Sequence, residues 1–161
     1  MARLSRRLTP IAAAALLAPL GAPAAAEALI QVDRGIAGAR LGNTRAEVRA
    51  ALGSPESTRS GSNEFGKFLQ WRFRGGITVL FQDRREVTTV STTGRGDRTV
   101  HGVGVGSREA QVRNRVRGIR CETVAGTRSC HTGSFTAGEI LTDFLIRGGT
   151  VRRVVVGRVL D

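Results

Sequence analysis

Between Leu69 and Arg74 the chain alternates strictly. Leu69, Trp71 and Phe73 are apolar, and Gln70, Arg72 and Arg74 between and after them are polar, the period of two that marks a strand with one buried face. Arg74-Gly75-Gly76 supplies a tight turn whose glycines accept positive φ. Ile77, Val79 and Phe81 resume the alternation, Gln82-Asp83-Arg84-Arg85 turns again, and Glu86 to Thr92 reads as a third strand rich in Val and Thr. Further strands are expected at Arg120–Val124, Ser129–Thr132, Ile140–Ile146 and Val151–Val159.

Two segments carry a helical period instead. Thr44-x-x-Glu47 is a capping box, in which the hydroxyl takes an orphan amide and Glu47 answers back. Val48, Ala51 and Leu52 then recur at helical spacing, and Gly53 with Pro55 stops the helix. Ser107 is expected to cap the second helix, Val112 and Val116 form its stripe, and Gly118 ends it. Helices of about ten residues do not stand alone in water, so each must dock.

Sliding the chain against itself by 64 residues brings Gly42, Ala46, Val48 and Arg49 onto Gly106, Ala110, Val112 and Arg113. The expected fold class is therefore α+β: two tandem copies of a short helix followed by an antiparallel β-meander, forming one fused sheet with the helices packed against it. Residues 27–35 form an N-terminal extension, 36–98 the first copy and 99–161 the second. A copy of about 60 residues buries too little surface to fold alone, so the two form one globular unit.

The run Gly42-Asn43-Thr44-Arg45-Ala46-Glu47-Val48 resembles the helix opening repeated in the secreted β-lactamase-inhibitor-protein family. It is similar also to the small lipoproteins of the outer-membrane β-barrel assembly machinery. The likeness covers most of residues 36–161. It implies a helix-plus-sheet repeat whose sheet face meets a partner enzyme, and a Cys after the second helix paired with a neighbouring strand Cys. In that family an acidic residue on a long hairpin enters the enzyme, supported by aromatic residues. Here the corresponding hairpin, Phe73-Arg74-Gly75-Gly76-Ile77, is short and has no acid, and Tyr is absent, so no inhibitory residue is carried over.

Residues 1–26 read as a cleaved signal peptide. Arg3, Arg6 and Arg7 precede an apolar run from Ile11 to Leu20, and Ala24-Ala25-Ala26 offers the small residues of a cleavage site before Glu27. The run is too short, and too broken by Pro10, Pro19 and Pro23, to cross a bilayer of about 30 Å. The protein is thus expected to be secreted or associated with the cell envelope, with no transmembrane segment in the mature chain.

Charge sharpens this only a little. Lys plus Arg number 25 against 13 Asp plus Glu, a net +12 over 161 residues; without the leader the balance is 22 to 13, a net +9. All the basic residues except Lys67 are Arg, whose planar fork suits carboxylate and phosphate. Arg72, Arg74, Arg84 and Arg85 are expected to share one sheet face, the candidate partner-binding surface. Aromatic residues make up only 4% of the chain, and without aromatic interleaving to stack bases a nucleic-acid partner is not expected.

Candidate chemistry is sparse. In an exported chain Cys121 and Cys130 are expected as a disulfide; the C-x8-C-H spacing with His131, and His101 far off, fits no zinc pattern, so no metal is expected. Neither His lies in an H-E-x-x-H or G-x-S-x-G setting. Asp33, Asp83, Asp97 and Asp143 lack the paired spacing of acid–base work. Gly102-x-Gly104-x-Gly106 falls short of a dinucleotide loop and reads as the flexible approach to the second helix. Arg95-Gly96-Asp97 reads as the turn between copies. The chain is accordingly expected to be a non-enzymatic, inhibitor-like protein-binding module without cofactor. Its partner would be an extracellular or envelope protein, with an envelope polyanion held by the arginines as the alternative.

Overall fold

Residues 30–83 and 85–160 are described by a computed structural model. The expected leader, its cleavage site at Ala26-Glu27, and Arg84 lie outside the described residues. The chain starts with three two-residue strands, β1 (Ile30–Gln31), β2 (Gly35–Ile36) and β3 (Ala39–Arg40), which pair in that order. Helix α1 (Arg45–Leu52) leads to β4 (Ser57–Asn63), β5 (Gly66–Arg72), a one-turn 3-10 helix at Arg74–Gly76, β6 (Ile77–Gln82) and β7 (Glu86–Thr92). After α2 (Glu109–Arg115) come β8 (Arg120–Val124), β9 (Thr127–His131), β10 (Ile140–Arg147) and β11 (Thr150–Arg158).

Strands β4 to β11 form one antiparallel sheet of eight in the order β4-β5-β6-β7-β11-β10-β9-β8. Each ladder but one joins sequence neighbours. The exception is the seam, where Thr92, Ser91, Val90 and Thr89 of β7 face Val154, Val155, Val156 and Gly157 of β11. Val90 and Val156 are fully buried there.

This architecture corrects the expected α+β arrangement of two helix-plus-meander copies with helices packed on the sheet. The described residues are mostly β, with two short helices beside eleven strands in two sheets. The reason is the poverty of the helices' apolar stripes. Helix α1 buries only Val48 and α2 only Val112, while Ala51 is exposed and Leu52 half-buried. One buried valine cannot cover an eight-stranded sheet. That work falls to the small sheet, whose Ile30, Ile36 and Ala39 are buried in the same core as Trp71, Phe81 and Phe144. Its β2 and β3 lie against β7, and α1 leans on β3.

Polar ties hold this cover in place. Asp33, at the tip of the small sheet in a left-handed conformation (φ 58°), accepts from the hydroxyls of Thr132 (2.5 Å) and Thr142 (2.9 Å). The two helix starts are fastened alike: Gly42 and Gly106 donate to the carbonyls of Val87 and Val151, whose amides donate to Asn43 and Ser107. The expected Thr44–Glu47 capping box is present, the Thr44 amide donating to Glu47 at 2.7 Å. Ser107 is not the second cap. Arg108 occupies that place, its amide donating to Gln111 at 2.8 Å, and the Ser107 hydroxyl accepts from the Gly104 amide instead (3.1 Å). Glu109 binds Arg113 on its own helix and Arg128 of β9, so that the Arg128 hydrogen bond above all holds its carboxyl down at about 2.

Candidate functional site

One face of the large sheet is buried under the small sheet, and among the described residues the opposite face has no second layer except where the loop 132–139 crosses its β8–β9 end. Directly paired residues of antiparallel strands project to the same side. Following the pairs across the sheet gives one unbroken row on the open side: Ser57, Arg72, Thr78, Ser91, Val155, Asp143, His131 and Arg120. It crosses all eight strands, about 34 Å at a strand spacing of about 4.8 Å. A parallel row runs Arg59, Gln70, Leu80, Thr89, Gly157 and Leu141.

The row changes character along its length. At the β4 end Arg72 is exposed, and it lines a hollow of about 280 Å³ together with Thr78, Ser91 and Arg153. Neither Arg72 nor Arg153 has a carboxylate partner among the described residues. The middle is half-buried hydroxyl and aliphatic surface. At the far end the row sinks beneath the loop 132–139. His131 is 3% exposed, with Nε2 3.1 Å from Glu122 and Nδ1 3.3 Å from the Thr132 carbonyl, and the Phe135 ring lies against it at 4.6 Å. Beside it, burial pushes the Asp143 carboxyl above its ordinary value, against the opposing pull of Ser129 and His131. Asp143 Oδ1 is buried without a hydrogen-bond partner.

Ser129, His131 and Asp143 thus share one corner of the open face. The histidine is turned toward Glu122 and the Thr132 carbonyl, while the serine hydroxyl serves Asp143. His131 and Asp143 belong to no motif in the sequence, because Asp143 reaches His131 through cross-strand pairing.

Of the four expected arginines, the three among the described residues, Arg72, Arg74 and Arg85, do not form one patch. Arg72 lies on the open face; Arg74 pairs with Glu56 at 3.1 Å, its side chain 92% exposed. Arg85 belongs to a separate hollow of about 600 Å³ lined also by Thr44, Arg45, Ala46, Arg49 and Trp71. There the Arg49 guanidinium sits 4.9 Å over the Trp71 ring. Arg84 lies outside the described residues. Asp97 of the Arg95-Gly96-Asp97 turn is buried and bonded to the Thr92 hydroxyl, with burial raising its carboxyl above the usual value. Gly104 is needed where it is, since a Cβ there would fall 2.0 Å from the Asp97 carbonyl.

Cys121 and Cys130 form a disulfide across the β8–β9 ladder, where they face one another as a pair. Glu109 lies beside both sulfurs, yet the two are bonded to each other and offer no thiolate to a metal. Among the described residues no helix is long and apolar enough to cross a membrane.

No protein-family model matches the chain, and no curated protein matches it by sequence. Several solved structures show distant likeness. An extracellular protein containing an SCP domain from Bacillus anthracis is 11% identical, with a TM-score of 0.49 over 73% of this chain and 44% of that one. A cysteine-rich secretory protein from Staphylococcus aureus is 13% identical, with a TM-score of 0.47 over 73% and 44%. The uncharacterized protein yfeY from Escherichia coli is 15% identical, with a TM-score of 0.49 over 78% and 97%. The chain spans less than half the length of the first two. Likeness at this level assigns the chain to no family.

Proposed function

We infer that this chain is an exported, non-enzymatic protein-binding module that meets its partner with the open face of the large sheet. One observation carries the reading: a continuous row of guanidinium, hydroxyl and aliphatic groups runs from β4 to β11, and among the described residues no layer lies over it there. Mixed surface of this kind, with arginine at its margin, is what protein interfaces use. The corner holding Ser129, His131 and Asp143 adds support, because its histidine is engaged by Glu122 and a backbone carbonyl rather than aimed at solvent.

The test uses the oxidised chain and isolated envelope of its producer, with binding followed across a salt series. A hot-spot interface keeps most of its affinity at about half-molar salt, whereas clamps on phosphate or carboxylate polymers weaken steeply. Binding should survive salt, vanish after protease treatment of the envelope, and fall at least tenfold in Ser91→Arg, which plants a long side chain mid-row. Arg85→Glu, off the open face, should change it little. Binding that collapses with salt and resists protease would replace this reading with the polyanion one.

A further inference from the structure

The large sheet ends in two unlike edges. Strand β8 is five residues long and carries Arg120 and Glu122, with the Arg120 guanidinium fastened to the Gly133 carbonyl at 2.8 Å. Strand β4, Ser57-Thr58-Arg59-Ser60-Gly61-Ser62-Asn63, pairs among the described residues only with β5, in a seven-residue register without a bulge. It has no proline and one charge. Natural sheets guard an open edge with charge, proline, bulges or brevity, and β4 has almost none of these.

The direction of its free groups follows from the next ladder. The Phe73 amide bonds the Ile77 carbonyl (2.9 Å) and the Asp83 amide the Lys67 carbonyl (2.6 Å). Odd-numbered residues of β5 therefore bond toward β6, and Phe68, Gln70 and Arg72 toward β4, where they face Gly61, Arg59 and Ser57. The N–H and C=O groups of Thr58, Ser60 and Ser62 are left pointing away from the sheet.

We propose that β4 pairs antiparallel with β4 of a second copy of this chain, about a two-fold axis at Ser60, joining the two large sheets edge to edge. The strand is complementary to itself in that register. Ser60 meets Ser60 of the second copy, Thr58 meets Ser62, and Arg59 meets Gly61. Shifting by two residues one way sets Arg59 against Arg59; shifting the other way runs Thr58 past the end of the strand at Asn63. Gly61 is bare because Phe68 packs over it, and a Cβ there would lie 2.8 Å from that ring. Arg59, whose guanidinium already sits 5.9 Å over its own Phe68, reaches across to the ring of the other copy. This pairing leaves both open faces uncovered and stands apart from the reading above.

One strand edge buries less than the roughly 1,200 Å² of a stable interface, so association depends on concentration. Sedimentation equilibrium of the oxidised chain should show monomer and dimer exchanging, with no larger species. Both copies are net positive, so raising salt from about 50 to about 500 mM should tighten the dimer severalfold. Ser60→Pro removes an amide that β5 does not use, and should abolish the dimer while leaving the far-ultraviolet circular dichroism unchanged. If proline disturbs the fold, cysteine placement decides. Ser60→Cys should oxidise to a covalent dimer, and Thr58→Cys should not unless mixed with Ser62→Cys. A chain that stays monomeric throughout, a dimer untouched by Ser60→Pro, or equal self-crosslinking of Thr58→Cys and Ser60→Cys would overturn the proposal.

Discussion

Two carboxyls show how much one position decides. Glu109 gains an arginine on each side and is held down to about 2. Asp143 loses water faster than it gains partners and is pushed up. Their effects on stability run in opposite directions with pH. A lowered carboxyl stabilises the fold above its unfolded value and loses that contribution as pH falls through the folded one. Glu109→Gln should therefore cost about 1 kcal/mol at neutral pH, the pair being partly exposed, and the cost should fade between about pH 4.5 and 2. A raised carboxyl costs nothing below its unfolded value and more as pH climbs through the folded one. Asp143→Asn should accordingly be more stable than the parent at pH 7, with the gain gone by about pH 4. Urea denaturation at several pH values measures both, and two curves of the same slope would contradict the assigned environments.

At the scale of single elements, the β8–β9 hairpin depends on its cross-link. Cys121 and Cys130 lie nine residues apart and close a short loop, worth about 2–3 kcal/mol by chain-entropy reasoning. The double variant Cys121→Ser, Cys130→Ser should lose that much in chemical denaturation, with amide protection falling first in β8. Elements with an apolar alternation were legible in the chain: Leu69 and Trp71 lie buried on β5, and Ile77, Val79 and Phe81 on β6. Glu86–Thr92 and Arg120–Val124 also fall at their expected bounds, and Thr44 with Glu47 caps α1 as expected. Those without one were not. Strand β4 is Ser, Thr, Arg, Gly and Asn, and is a strand only because β5 offers it a ladder. The strands β1 to β3, of two residues each, are too short for any period to register. Ser107 has the chemistry of a cap, yet its hydroxyl is claimed by the Gly104 amide and the chain turns into helix one residue later. The open face was half legible. Gln70 and Arg72 announce a polar side, but the sequence does not say which strands continue that side, because the row passes from Ser91 to Val155 across a seam.

The molecule as a whole holds together at that seam. Strand β7 ends one meander and β11 the other, and their pairing buries Val90 and Val156 between the small sheet and the open face. Val90→Ala should cost about 2 kcal/mol as a buried truncation. It should lower the one unfolding transition rather than split it, with hydrogen exchange quickening in both halves together. Separate melting of residues 57–92 and 120–158 would show that the seam does not couple them. The seam also orders events in time. All other ladders of the large sheet close over short turns, but this one waits for residues more than 60 positions further on. At about 5–20 residues per second of synthesis, β7 is complete for several seconds before its mate exists. Throughout that interval a Val- and Thr-rich edge stands open to any passing strand. A chain that folded as it was made would meet its own neighbours in that state; one carried across a membrane before folding would have both edges delivered together.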